Sequence, residues 1–257
     1  MKRLLTTAVV VVLSGAVAPA QEPAANCPEM ARALQDLIRA DVRARDFAEL
    51  RRFRDDNGSL KPGESRVVFM GDSITDLWRQ PQFGGFFPGK PYVDRGISGQ
   101  TTPQMLVRFR QDVIALHPSV VVILAGTNDI AGNTGPETDE EIEGYLTSMS
   151  ELAQANRIGV VLSSITPVSD YHRRPANPPM TTRRPPHRIA ALNGWIREYA
   201  SSHHHVYLDY FSAMVDSAGM LRDEFSEDDL HPNAKGYAVM APLAESAVQK
   251  ALAAARP

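Results

Sequence analysis

The chain has a single cysteine, Cys27, among its 257 residues. A disulfide within one chain requires two cysteines, so the fold must be stabilised by its core alone. Cys27 follows Asn26, which stands where a bacterial lipoprotein signal carries a small residue. We therefore expect a surface thiol at this position rather than a lipid-attachment site.

The chain also has no excess of basic over acidic residues. The 27 Lys and Arg residues are outnumbered by 30 Asp and Glu residues, which gives a formal net charge of −3. Proteins that bind nucleic acid usually carry a basic surface, so we expect no nucleic-acid partner. Hydrophobic residues make up 43% of the chain and charged residues 22%, which is ordinary for a soluble globular protein.

The apolar stretch at the start of the chain, residues 4–17, is shorter than the roughly 20 residues that span a membrane comfortably. It follows two basic residues and precedes the small-residue segment 18–20, a pattern typical of a secretory signal. We therefore expect residues 1–20 to be a signal peptide and the mature protein to begin near Gln21. The protein is then secreted or periplasmic, without stable membrane insertion; a retained membrane anchor is the alternative.

Apolar and charged residues alternate at helical spacing over residues 29–56, and Asn57-Gly58 follows as a stop signal. The pattern predicts one helix laid against the domain. A helix on a membrane surface is the alternative, and the mixed charge argues against it. We accordingly divide the chain into the signal peptide, an N-terminal helical extension over 21–64 and one domain over 65–257.

From residue 65 onward, short apolar runs alternate with segments of helical period. The central runs lack polar alternation, which is typical of parallel strands covered on both faces. This order predicts an α/β fold in which helices cover both faces of a parallel sheet. The predicted strands are 66–70, 92–94, 120–124, 160–163 and 206–208, and the predicted helices are 102–116, 137–156, 187–201 and 234–254.

Segment 169–187 does not fit this alternation. It is rich in proline and arginine and predicts a long irregular surface loop beside the carboxyl edge of the sheet, where lids and binding loops occur. The arginines either meet an anionic substrate or are ordinary solvated loop charges. They are Arg173, Arg174, Arg183 and Arg184.

Four separated segments carry candidate chemistry, and the first contains Ser73. This serine directly follows a predicted strand, and open α/β sheets bind ligands at the carboxyl ends of their strands. A serine hydroxyl becomes an effective nucleophile when a base removes its proton. The alternative is that Ser73 caps the following helix. The four segments are 71–75 (GDSIT), 96–99 (GISG), 126–129 (GTND) and 228–232 (DDLHP).

Gly99 and Asn128 lie just past two further predicted strands. An asparagine amide is a neutral hydrogen-bond donor, and a glycine N–H approaches an oxygen without a side chain in the way. Together with the amide of Ser73 they offer three donors for a tetrahedral oxyanion. The alternative is that these are turn residues, which Gly and Asn often are.

His231 is the candidate base. Asp228, three residues earlier, is close enough in sequence to accept the imidazole proton and to fix the tautomer. The neighbouring Asp229 is a second candidate for that role, but the three-residue spacing favours Asp228. A solvated loop histidine is the alternative for His231.

The four segments resemble the four blocks of the SGNH hydrolases, also called GDSL esterases and lipases, over roughly residues 65–250. The resemblance implies a three-layer α/β/α sandwich around a flavodoxin-like five-stranded parallel sheet. It also implies hydrolysis of esters without a metal or other cofactor. By this resemblance the catalytic residues are Ser73, Asp228 and His231, the oxyanion donors are Ser73, Gly99 and Asn128, and Asp72 supports the site.

One departure and one absence qualify the resemblance. Asp94 stands where many relatives have asparagine before Arg95-Gly96, a change that should matter little to catalysis. The G-x-S-x-G elbow of the α/β-hydrolase fold is missing, which argues against that other esterase architecture.

Two further features have a functional and an ordinary interpretation. Three adjacent histidines, 203–205, invite a metal site, but neighbours on an extended segment point to opposite faces, and we expect no metal there. Trp78 and the segment 83–87 either wall an acyl pocket or pack in the core.

These residues together predict a serine esterase that acts on a small-molecule or carbohydrate ester. Short-acyl esters, including O-acetyl groups on polysaccharides, are the first choice of substrate. A lysophospholipase or acyl-thioesterase is the runner-up. A non-catalytic carbohydrate-binding protein on the same fold is the alternative of another class, and the complete constellation would have no purpose in it.

Overall fold

The computed structural model describes residues 28–61, 65–175 and 178–254. Their contacts separate into two units, with the boundary between Arg45 and Asp46, and the first unit contributes helix α1, Pro28–Arg45. The predicted signal peptide and Cys27 lie outside the described residues. None of the helices in the described ranges has both the length and the apolar character that a membrane crossing requires.

The single helix predicted over 29–56 was wrong in its second half. The helix ends at Arg45, and the chain then turns at Asp46, whose carboxylate accepts two backbone N–H groups of the following turn. Glu49 has a φ of 53°, a left-handed conformation that a continuing helix excludes. The expected stop signal Asn-Gly instead lies inside a short helix α2, Arg54–Ser59.

Five parallel strands form one sheet in the order β2-β1-β3-β4-β5. This is the flavodoxin-like order, and it confirms the predicted fold class. The predicted strands are all present, with small shifts at their ends. Their bounds are β1 Val67–Gly71, β2 Tyr92–Gly96, β3 Val120–Leu124, β4 Gly159–Ser163 and β5 Val206–Leu208.

The longer predicted helices are present between and after the strands, accompanied by several short ones. In the described part of the chain, the helices after β1 are α3 Ser73–Trp78, α4 Thr102–Asp112, α5 Thr127–Ile130, α6 Asp139–Ala155, α7 Met180–Arg183, α8 Pro186–Ser202, α9 Phe211–Met214 and α10 Ala234–Ala254. Single 3-10 turns lie at Pro81–Phe83, Ile114–Leu116 and Asp223–Phe225.

Local capping explains where two of these helices begin. The backbone N–H of Thr101 donates to Gln104 Oε1 at 3.1 Å, which fixes the start of α4. Asn233 Oδ1 accepts two backbone N–H groups in the first turn of α10, as expected for a cap. The helix predicted over 102–116 ends at Asp112, because Val113 leaves helical dihedrals before a 3-10 turn.

Successive strand residues face two separate cores, which produces three layers. Val68 and Met70 of β1 belong to a core shared with α4, α6 and α8. Val67 and Phe69 belong to a second core shared with α10 and α3. Both faces of the sheet are therefore covered, as the unbroken apolar runs predicted.

The carboxyl ends of the three strands nearest the candidate site lie side by side. Gly71, the last residue of β1, is in register with Gly96 of β2 on one side and with Leu124 of β3 on the other. The chain passes from β1 to β2 on one side and from β3 to β4 on the other, and such a switch point forms a crevice between β1 and β3. Three of the four candidate segments begin here.

Segment 169–187 is more ordered than its composition indicated. Helix α7 lies within it, α8 begins at Pro186, and so the prediction of an irregular loop was wrong from residue 180 onward. The carboxylate of Asp170 accepts the backbone N–H of Met180 at 2.5 Å and thereby caps α7. Arg184 is 3% exposed, so it is not a solvated loop charge.

Candidate active site

The turn from β1 into α3 is possible only with glycine at two positions. A Cβ on Gly71 would lie 2.1 Å from Oγ1 of Thr75. A Cβ on Gly96 would lie 2.2 Å from the backbone nitrogen of Asp76. The absence of both side chains lets the first turn of α3 pack directly against the ends of β1 and β2, which holds Ser73 at the switch point.

Asp72 caps helix α3. Its Oδ1 accepts the backbone N–H of Ile74 at 2.9 Å, and the dihedrals of Asp72 are not helical. The capping role that was the alternative for Ser73 therefore belongs to its neighbour. The hydroxyl of Ser73 remains available for another partner.

That partner is His231, although the two residues are 158 positions apart. Nε2 of His231 lies 2.9 Å from Oγ of Ser73, and Nδ1 lies 2.6 Å from Oδ2 of Asp228. An ionised carboxylate only accepts hydrogen bonds, so Nδ1 carries the proton and Nε2 is free to accept the serine proton. The structure thus brings together the predicted nucleophile, base and orienting acid.

Asp228 is held in its ionised form. Burial acts to raise its pKa, but hydrogen bonds from the ring and the backbone N–H of His231 outweigh burial, and the pKa is lowered below its usual range. Oδ1 accepts that backbone N–H at 2.7 Å. Asp229 turns elsewhere, with φ of 71°, and its Oδ1 accepts from Oγ of Ser169 at 2.7 Å.

The carboxamide of Asn128 has a fixed orientation. Its Nδ2 donates to the carbonyl of Gln100 at 3.0 Å. Its Oδ1 accepts from Nδ2 of Asn133 at 3.0 Å and from Nη2 of Arg184 at 3.2 Å. An amide nitrogen has two hydrogens, so one N–H of Asn128 remains for a further acceptor.

Gly99 adopts φ of 81°, a conformation that favours glycine, so its position in the loop after β2 depends on the missing side chain. Its carbonyl accepts from Nδ2 of Asn133 at 3.0 Å. Its own N–H has no hydrogen-bond partner within the described ranges. The N–H of Ser73, in the first turn of α3, likewise has no acceptor inside the helix.

Asp72 adds a second carboxyl group behind the serine. It is 1% exposed, and its Oδ2 has no hydrogen-bond partner among the residues that the structure describes. Burial raises the pKa of Asp72 to about 6, against the lowering effect of the Ile74 N–H and of His231. The Coulombic effect of His231 favours the ionised form of Asp72, so an Asp72 carboxylate and a His231 imidazolium stabilise each other.

Two residues of this site were missed by the sequence reasoning. Asn133 lies in the loop after α5, where an asparagine is indistinguishable from any turn residue. Arg184 was assigned with the other arginines of its segment to solvent or to an anionic substrate. No local pattern distinguishes it, because its acceptors lie in α5, far away in sequence.

Two predicted features remain, the aromatic segment after Ser73 and the three adjacent histidines. The ring of Trp78 is buried and stacks on Tyr237, with 4.9 Å between centroids, and Trp78 and Phe87 also line the wall of a groove. This apolar groove of about 490 Å³ runs between Phe83 and α10. The ring of His203 stacks on Tyr199, and the described residues contain no cluster of side chains suited to a metal ion.

Comparison with known proteins identifies the family. Residues 69–239 match the model of the GDSL-like lipase/acylhydrolase family. A candidate acylhydrolase from Bacteroides fragilis is 41% identical with a TM-score of 0.73, over 80% of this chain and 99% of that one. A GDSL-like lipase from Bacteroides thetaiotaomicron is 39% identical, with the same TM-score and coverage.

A curated relative is more distant. An acetylxylan esterase from Geobacillus stearothermophilus is 33% identical over 87 residues, and the match covers 25% of this chain and 40% of that enzyme. The family model, in contrast, spans more than half of the chain, and it includes the Ser73, Gly99, Asn128 and His231 positions. The chain therefore belongs to the GDSL-like lipase/acylhydrolase family of SGNH hydrolases and is a carboxylic ester hydrolase.

Proposed function

We propose that the chain hydrolyses esters through an acyl-enzyme on Ser73. His231 takes the hydroxyl proton at Nε2 as Oγ attacks the ester carbonyl, and it then gives this proton to the departing alcohol. Water attacks the acyl-enzyme in the same way, which releases the acid and restores the serine. Asp228 holds the ring and stabilises the imidazolium in both half-reactions.

The observation that carries this proposal is the relay from Ser73 Oγ through the His231 ring to Asp228, with separations of 2.9 and 2.6 Å. The serine is not the helix cap, so its hydroxyl has no competing role in α3. Three donors are assigned to the oxyanion: the N–H groups of Ser73 and Gly99 and the free N–H of Asn128. Loss of one such donor typically costs about 10²–10³ in kcat.

We further propose short-acyl esters as substrates, with O-acetylated carbohydrates as the leading class. The partial similarity to an acetylxylan esterase supports this choice. We also propose that the chain is exported through the signal peptide expected over residues 1–20, since such polymers lie outside the cytoplasm.

The apolar groove gives the runner-up, a lysophospholipase or acyl-thioesterase, its one structural support. It has apolar walls from Phe83 and from Ala238 and Ala241 of α10, and an ion pair between Lys90 and Glu245 lies at its rim. An acyl chain that extended from the serine into this groove would make octanoate a better substrate than acetate. Ala238→Trp fills the groove and would then abolish the preference for octanoate.

The test compares initial rates on p-nitrophenyl acetate, butyrate and octanoate and on acetylated xylan. We expect kcat/KM to be highest for acetate, acetyl release from the polymer, and nearly complete loss of both in Ser73→Ala with an unchanged circular dichroism spectrum. A preference for octanoate that disappears in Ala238→Trp would assign the enzyme to lipid substrates. Hydrolysis that survives Ser73→Ala would contradict the proposed mechanism.

A further inference from the structure

Arg184 is a buried cation that forms no salt bridge with any carboxylate of the described residues. It is 3% exposed, and its Nε donates to both the carbonyl and Oγ1 of Thr127 at 3.0 Å. Its Nη2 donates to Oδ1 of Asn128 at 3.2 Å. Burying a charge against neutral acceptors is costly, so a guanidinium in this place has to be explained by something other than fold stability.

The direction of these hydrogen bonds explains why a guanidinium is buried next to Asn128. A guanidinium has five donors and no acceptor, so the atom of Asn128 that faces Arg184 must be the carboxamide oxygen. The nitrogen of the same carboxamide must then face the other way, where one N–H binds Gln100 and the other is left for a ligand. A flipped carboxamide would place two N–H groups against the guanidinium and present an acceptor to the oxyanion.

We propose that Arg184 is a positioning residue, which locks the Asn128 carboxamide with its N–H towards the oxyanion and strengthens that N–H as a donor through its positive charge. The inference rests on the oxyanion role assigned to Asn128 under the proposed function. Asn133 donates to the same oxygen but is neutral, so it contributes orientation without the charge.

The field around Arg184 agrees with a role at the site. Burial and, to a smaller extent, the neighbouring Arg183 lower the pKa of Arg184 to about 10, against the raising effect of the nearby carboxylates of Asp72 and Asp228. The guanidinium therefore stays charged throughout the working range of an esterase. It contributes positive charge on the side of Asn128 that faces away from the substrate, which favours negative charge on the oxyanion.

A double-mutant cycle tests the coupling. We expect Arg184→Met to lower kcat on p-nitrophenyl acetate about tenfold with KM changed less than threefold, because the affected hydrogen bond strengthens only in the transition state. In the Asn128→Ala background the same substitution should lower kcat less than twofold. Arg188→Met is the matched control: it removes a partly buried arginine that pairs with Asp139 and should leave kcat unchanged.

Arg184→Lys keeps the charge but loses the planar guanidinium, so we expect a kcat between those of the wild type and Arg184→Met. This variant replaces Arg184→Met in the cycle if circular dichroism shows that Arg184→Met does not fold. Equal losses from Arg184→Met, or from Arg184→Lys in its place, in the two backgrounds would overturn the positioning role and leave the proposed function intact. An unchanged kcat in Asn128→Ala alone would instead overturn the oxyanion assignment, and the inference with it.

Discussion

Asn133 donates through its Nδ2 to Oδ1 of Asn128 at 3.0 Å, and the same nitrogen lies 3.0 Å from the carbonyl of Gly99. One carboxamide therefore ties together the loops that follow β2 and β3, each of which supplies a candidate oxyanion donor. Neither loop has regular structure long enough to fix its own geometry. The bridge acts together with the hydrogen bonds from Asn128 Nδ2 to the Gln100 carbonyl and from the Thr102 N–H to Asp129, which join the same two segments.

Asn133→Asp tests the bridge. The change keeps the shape of the side chain but replaces the donating nitrogen with an oxygen, which then faces two acceptors. We expect kcat to fall about tenfold, or by about 1.4 kcal/mol of transition-state stabilisation, with KM little changed. Steady-state kinetics on p-nitrophenyl acetate measure it. A kcat equal to that of the wild type would show that the donors are positioned without Asn133.

The choice of orienting acid gives a second prediction. Asp228 accepts from the His231 ring, whereas Asp229 accepts from Ser169 and from the backbone of His172. We expect Asp228→Asn to lower kcat by about 10²–10⁴, because an amide at this position no longer favours the productive tautomer or the imidazolium. Asp229→Asn is the adjacent control and should keep kcat within about threefold; the reverse ranking would transfer the role to Asp229.

Asp94 gives a prediction about stability and pH. Burial raises its pKa to about 7, against the lowering effect of the Gly96 N–H, and its Oδ2 has no hydrogen-bond partner within the described residues. The folded state therefore binds more protons at Asp94 than the unfolded state between about pH 4 and pH 7. The contribution of Asp94 to the free energy of unfolding is therefore fully present below that window and is lost as the pH rises through it.

Asp94→Asn removes the titrating carboxyl group. The melting temperature of this variant minus that of the wild type should therefore increase between pH 5 and pH 8. Differential scanning fluorimetry at several pH values measures this difference. Asp216→Asn is the control, because hydrogen bonds from Tyr171 and from Met220 lower the pKa of Asp216. The melting temperature of this variant minus that of the wild type should not increase over the same pH range. A pH-independent difference for Asp94→Asn would mean that Asp94 is ionised at little cost.

The turn glycines give a fourth prediction. Gly96→Ala introduces a Cβ that would lie 2.2 Å from the backbone nitrogen of Asp76, and a backbone atom cannot move aside without displacing α3. We expect a loss of several kcal/mol in unfolding free energy and a loss of kcat, since Ser73 moves with the helix. Gly144→Ala lies within α6 and meets nothing within 4 Å. It should raise the unfolding free energy by about 0.5–1 kcal/mol in urea titrations.

The sheet and the predicted triad could be read from the sequence because both depend on local patterns. Unbroken apolar runs specify buried parallel strands, and functional side chains of such folds follow strands at one edge. Ser73, Gly99 and Asn128 each met that rule. His231 and Asp228 were identified by their spacing and by the family resemblance.

The errors have a different origin, since each depends on contacts distant in sequence. The turn that replaces the continuous helix offers the carbonyls of Phe47, Ala48 and Leu50 to three glutamine side chains more than fifty positions away, those of Gln104, Gln100 and Gln111. Arg184 is in a segment whose composition is typical of a solvated loop. Its role depends on acceptors in α5, which no pattern around residue 184 reveals.

The most direct test of the central claim, that Ser73 activated by His231 and Asp228 is the nucleophile, is stoichiometric labelling with a fluorophosphonate followed by peptide mass spectrometry. We expect one phosphonyl group per chain, on Ser73, with no labelling of Ser73→Ala and labelling slowed by at least about 10² in His231→Ala. Modification of a different residue, or an enzyme that hydrolyses p-nitrophenyl acetate yet remains unlabelled at Ser73, would contradict the account.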